Sequence, residues 1–108
     1  MIVYICSAYR AGTSRELKAH LDYAKDLTRK VLLEGMVSVT CHLSIAEVLD
    51  DTDPGERNLG LKADLALLAK CDTVLVGQRF GISDGMAGEI GEAIRLGDPA
   101  GVHGLKGR

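Results

Sequence analysis

Residues 2–6, Ile2-Val3-Tyr4-Ile5-Cys6, are apolar at every position and rich in β-branched side chains. A strand with one wet face alternates apolar and polar residues. An unbroken apolar run is instead what a strand covered on both faces requires, as in a parallel sheet flanked by helices. Residues 73–76, Thr73-Val74-Leu75-Val76, repeat the pattern, and residues 36–41, Met-Val-Ser-Val-Thr-Cys, form a third β-branched segment.

The intervals between these segments read as helices. Thr13-Ser14-Arg15-Glu16 has capping-box spacing, and Leu17, Leu21, Ala24, Thr28, Val31 and Leu32 then recur at helical intervals until Gly35, a C′ glycine. Ser44-x-x-Glu47 is a second capping box, opening a short helix to about Leu49. After the acidic turn segment 50–56, Asp53 as cap and Pro54 at N1 open a helix to about Lys70. A last helix covers about Gly85 to Leu96 and is closed by Gly97. The order β-α-β-α-α-β-α predicts an α/β domain with a parallel sheet over residues 1–97. Ligands in such sheets sit at the carboxyl ends of the strands, which singles out the loops Ser7–Thr13, His42–Ser44 and Gly77–Asp84. A further strand is expected after Pro99. Residues 100–108 carry three glycines in nine positions, so the last strand reads as missing or degenerate and residues 98–108 as an irregular tail.

Composition narrows the function. Of 108 residues, 46% are hydrophobic and 26% charged, which excludes a disordered chain. Lys and Arg number 13 against 15 Asp and Glu, a net charge of -2, so a bulk electrostatic grip on nucleic acid is not expected. No apolar run reaches the ~18–20 residues of a membrane span. The apolar start is short and has no basic region before it, so it does not read as a signal peptide. Cys6, Cys41 and Cys71 are far apart and read as reduced, semi-buried small hydrophobes of a cytoplasmic protein. The histidines show no metal-ligand spacing.

Three places could carry chemistry. Glu89 lies near the start of the last helix, at the margin of a core stripe of Met86, Ile90, Ala93 and Ile94. A desolvated carboxylate there is a candidate acid, base or nucleophile, and the plain alternative is a residue favouring the positive end of the helix dipole. Gly85, Gly88 and Gly91, at every third residue of that helix, suggest a close approach of backbone or ligand. Asp64 sits in the most apolar helical stretch, Leu61 to Ala69. It needs either a partner or a place on the solvated face it would share with Lys62. The loop Ser7-Ala8-Tyr9-Arg10-Ala11-Gly12 offers a hydroxyl and a guanidinium suited to phosphate, and Ser83-Asp84-Gly85 could complete such a site at a helix N-terminus. The G-x-G-x-x-G and G-x-x-x-x-G-K-[ST] motifs are absent.

Val3-Tyr4-Ile5-Cys6-Ser7, Asp64-Leu65-x-x-Leu68-x-x-x-Asp72-x-Val74-x-Val76 and Gly85-x-x-x-Glu89-Ile90-Gly91-x-Ala93 together resemble the three signature blocks of the nucleoside 2-deoxyribosyltransferase-like superfamily. That superfamily includes the 2′-deoxynucleoside 5′-phosphate N-hydrolases. The resemblance spans roughly residues 2–97 and implies a small flavodoxin-like three-layer sandwich. It implies N-glycosidic cleavage of a 2′-deoxynucleoside or its 5′-monophosphate through a covalent deoxyribosyl-glutamate, with the base released to water or exchanged. By the same resemblance, Glu89 is the nucleophile, Asp64 the acid that positions it and handles the proton of the base, and Tyr4 the hydroxyl that orients the glutamate. Ser7, Arg10, Ser83 and Gly85 would hold phosphate, and Tyr9 and His42 would border the base. No metal or other cofactor is implied, and a homodimer or higher homo-oligomer is. Residues 42–57 do not match the family closely. The alternative is a non-catalytic nucleotide-binding or nucleotide-sensing module with the same fold.

Overall fold

The computed structural model describes residues 1–96 and 102–105. Its elements in chain order are β1 (Ile2–Cys6), α1 (Ser14–Leu33), β2 (Val37–Val39), a 3-10 turn (Cys41–Leu43), α2 (Ile45–Val48), α3 (Pro54–Leu68), β3 (Thr73–Gly77), α4 (Asp84–Arg95) and β4 (Val102–Leu105). The four strands form one sheet in the order β2-β1-β3-β4, and each neighbouring pair is parallel. This is the flavodoxin-like α/β architecture, with helices on both faces of the sheet.

The two uninterrupted apolar runs became the two central strands. In β1 the residues Val3 to Cys6 are all buried, and in β3 every residue is. Alternation divides them between two cores. Val3, Ile5 and Leu75 pack against Tyr23, Leu27 and Val31 of α1. Tyr4, Cys6, Val74 and Val76 face the other way, toward Cys41, Leu68, Met86 and Ala93. At the amino end, Asp72 pins β1 to β3: its amide donates to the Ile2 carbonyl at 2.8 Å, and its carboxylate accepts from the Ile2 amide at 2.7 Å.

The caps explain where helices begin. Thr13 Oγ1 accepts from the Glu16 amide, Asp53 from the Glu56 amide and Ser83 from the Met86 amide. Gly35, at φ +85°, ends the α1 segment in the left-handed region as expected. The second capping box does not form. The Ser44 amide donates to Cys41 O in the 3-10 turn, and its hydroxyl turns back toward the Thr40 carbonyl, so no cap bond reaches α2.

Several other expectations are corrected. β2 stops at Val39 rather than residue 41, because the chain folds into the 3-10 turn once β2 has paired as far as Tyr4. Ile94, placed in the core stripe of α4, is 54% exposed. The last strand, expected to be missing or degenerate, is present in reduced form. Val102 to Leu105 pair with Val74 to Gly77 inside the stretch read as irregular tail. Parallel pairing uses main-chain groups, so a glycine within the segment weakens a strand without preventing it. Gly97, read as the stop of the last helix, lies outside the described residues. No described helix is long and apolar enough to cross a membrane.

Candidate functional site

The chain leaves β1 toward β2 on one side and β3 on the other, so the carboxyl ends of β1 and β3 flank a switch point in the sheet, where an α/β fold opens a crevice. A cavity of about 540 Å³ lies there. Ser7, Tyr9, Arg10, His42, Asp64, Ser83, Gly85 and Glu89 all line it. Tyr4, the remaining residue singled out from the sequence, is not in the cavity wall but in the core behind it, with its hydroxyl on Glu89.

Glu89 is half-buried on the first turns of α4, and the hydroxyl of Tyr4 donates a hydrogen bond to its Oε2. Tyr4 is 1% exposed. Burial, and then the neighbouring Glu89 charge, push the phenol far above its ordinary value, so it keeps its proton and remains a donor. Burial also raises the Glu89 carboxyl to about 7, against the lowering effect of the Tyr4 hydrogen bond and with a further push from Asp64. A carboxyl with this value exchanges its proton near neutrality.

Asp64 projects from α3 and is half-buried, with its carboxyl also raised by burial. Its Oδ1 has no hydrogen-bond partner. The Oγ of Ser7, a residue only 1% exposed, is equally unpartnered. Buried polar atoms are nearly always satisfied, so two orphans lining one cavity mark positions where a bound molecule would supply the missing partners. The thiol of Cys41 lies beside Tyr4 and Asp64 and is pushed up to about 12, mainly by burial. It is a neutral neighbour at ordinary pH.

His42 and Tyr9 form one wall. Their rings stack with centroids 5.0 Å apart and planes 28° apart. His42 Nε2 donates to the Ser7 carbonyl at 2.6 Å, and burial lowers its pKa, so the ring is neutral with its proton on Nε2. Across the mouth, Arg10 Nε meets Asp51 Oδ2 at 3.1 Å, and both side chains are well exposed. Such a pair contributes little to stability and is easily exchanged for another anion. Ser83 and Gly85 also line the cavity, where α4 begins and its first amides have no intrahelical acceptor. Among the described residues no cluster of His, Cys, Asp and Glu is arranged to hold a metal ion.

No other part of the chain approaches the glycines of α4 closely. A Cβ at Gly88 or Gly91 would meet nothing within 4 Å, and one at Gly85 would reach only Ser83 Oγ at 4.0 Å. The close approach is instead at Gly77, where a Cβ would lie 2.5 Å from Leu27 Cδ1. Sequence reasoning also missed Arg57, Ile45, Leu49, Gly60 and Leu61, all in the cavity wall. The signal for Arg57 was available, since Arg57, Leu61 and Asp64 recur at helical spacing on one side of α3.

Residues 1–102 match the family described as Domain of unknown function (DUF7768). No curated protein matches the chain significantly. Among solved structures, a 2-deoxyribosyltransferase from the psychrotolerant bacterium Bacillus psychrosaccharolyticus, characterised as a biocatalyst for synthesis of antiviral and antitumoral nucleosides, superposes with a TM-score of 0.70. The match covers 98% of this chain and 72% of that one at 20% identity, a likeness of fold.

Proposed function

This chain belongs to the DUF7768 family, and we propose that it cleaves the N-glycosidic bond of a 2′-deoxynucleoside or 2′-deoxynucleoside 5′-monophosphate. The observation that carries the proposal is the Tyr4–Glu89 hydrogen bond at the cavity floor, with Asp64 close enough to influence the Glu89 charge. A pure binding module has no evident need for a desolvated, oriented carboxylate. The likeness in fold to a 2-deoxyribosyltransferase supports the same reading.

In this mechanism ionised Glu89 attacks the anomeric carbon as the carbon–nitrogen bond to the base breaks. Asp64 in its protonated form, which burial favours, donates a proton to the departing base nitrogen. The result is a deoxyribosyl ester of Glu89. Water, or a second base, then gives a proton to Asp64 and attacks the same carbon, and Glu89 leaves with overall retention. Tyr4 holds the glutamate in line. Ser7, Ser83 and the amides at Gly85 receive the 5′ end of the sugar, and Arg10 exchanges Asp51 for a phosphate when one is present. The stacked Tyr9–His42 pair borders the base. The proposal includes a cytoplasmic setting, which suits the free thiols of Cys6, Cys41 and Cys71. It also includes a homodimer or higher homo-oligomer.

The test is release of free base from a panel of deoxynucleosides and their 5′-monophosphates. Glu89→Ala is expected to reduce release by at least about a thousandfold, because an essential nucleophile is lost. Ligand-induced stabilisation without base release from any substrate would instead establish a binding module.

A further inference from the structure

The charges lining the cavity are unequal. Six carboxylates, those of Glu16, Asp51, Glu56, Asp64, Asp84 and Glu89, face two guanidiniums, those of Arg10 and Arg57. Arg10 is engaged with Asp51. Arg57 makes no side-chain hydrogen bond or ion pair among the described residues, so one cation lines an acidic cavity without a fixed partner.

Its position indicates what it serves. Arg57 and Asp64 lie two helical turns apart along α3, a rise of about 10 Å. Between them α3 presents Gly60 and Leu61, and α2 with the turn after it contributes Ile45, Ala46 and Leu49. At Gly60 the two elements are so close that a Cβ would come within 3.3 Å of Leu49 Cδ1. The wall between the guanidinium and Asp64 is therefore apolar and suited to the flat face of a heterocycle rather than to a dianion. The hydroxyls and helix amides that suit a phosphate lie elsewhere, at Ser7, Ser83 and Gly85. A purine whose glycosidic nitrogen is at Asp64 carries its O6 across about half of that rise, and a flexible arginine covers the remainder.

We propose that Arg57 is a specificity-determining residue that reads the outer edge of the base, and that the site takes 6-oxopurine nucleosides in preference to 6-aminopurine ones. A guanidinium is a planar fork of donors with no acceptor. It matches the adjacent O6 and N7 acceptors of a 6-oxopurine, whereas a 6-amino group turns a donor toward it. This inference rests on the nucleoside reading of the cavity, and the experiment below separates the two.

Binding of 2′-deoxyinosine, 7-deaza-2′-deoxyinosine and 2′-deoxyadenosine is measured by calorimetry on Glu89→Gln protein, which prevents turnover, with Arg57 intact or changed to Ala or Lys. With Arg57 intact, deoxyinosine is expected to bind about tenfold tighter than the other two, in line with a bidentate contact. Arg57→Ala brings the three within about twofold, and Arg57→Lys restores part of the preference. Arg57 is exposed, so the variants are expected to fold, and matching melting curves confirm it. A preference that is absent, or unchanged in Arg57→Ala, overturns the inference while leaving the nucleoside reading intact. Failure of all three to bind overturns the inference, and overturns the nucleoside reading as well if the panel of deoxynucleosides and 5′-monophosphates shows no base release.

Discussion

The two faces of the sheet are built from alternate residues of the same strands, yet they serve different ends. On one face, Val3, Ile5 and Leu75 meet Tyr23, Leu27 and Val31 of the 20-residue helix α1, and the contact is closed and apolar. On the other, Tyr4 and Cys6 meet shorter elements, and the core opens into a cavity holding two carboxyls raised by burial, Asp64 and Glu89. The first face supplies stability and the second gives some up. A charge that burial disfavours is retained only where surrounding structure holds it in place.

That contrast can be broken from either side. The largest expected effect is on the closed face, where Leu27 is 3% exposed. Leu27→Ala should cost about 2–5 kcal/mol in chemical denaturation, with little change in ligand affinity of the folded protein. On the open face, the Glu89 carboxyl is raised from 4.5 to about 7. A carboxyl raised by folding favours the native state while protonated, and this advantage is lost as pH rises from about 4.5 through 7. Wild-type stability relative to Glu89→Gln should therefore fall by about 2–3 kcal/mol over that interval, measured by urea unfolding at a series of pH values. A flat difference would show that the carboxylate is not desolvated.

Smaller changes sharpen the same distinction. Gly77→Ala forces a Cβ into Leu27 and Tyr23 and should destabilise by about 1–3 kcal/mol. Gly88→Ala and Gly91→Ala place a methyl in open space on a helix and should each stabilise by up to about 1 kcal/mol, read from thermal melts. Destabilisation at Gly88 or Gly91 would show that something packs on α4 in solution.

How far the sequence could be read depends on the range of the interactions involved. The buried strands, the caps at Thr13 and Asp53 and the turn at Gly35 were legible because each is set by residues within a few positions of one another. The Ser44 cap failed despite its correct spacing, because the 3-10 turn before it had already taken the Ser44 amide and redirected its hydroxyl. The glycine periodicity in α4 misled about packing within the chain for a related reason. Spacing places Gly88 and Gly91 on a helix, but only the neighbouring element decides whether a Cβ there meets anything.

The candidate site divides in the same way. Tyr4, Asp64 and Glu89 were picked out by their placement on strands and helices and by a family resemblance, without knowledge of any distance between them. Apolar runs, caps and turn residues were sufficient to determine a parallel α/β domain and the edge of the sheet where a ligand belongs, since those patterns express local backbone and burial preferences. Only the tertiary structure decided that the Tyr4 hydroxyl meets Glu89 and that, among the described residues, Ser7 and Asp64 each keep an unpartnered oxygen and Arg57 has no partner while Arg10 is paired with Asp51. Those facts arise where segments tens of residues apart converge, and desolvation and charge pairing depend on that convergence rather than on order along the chain.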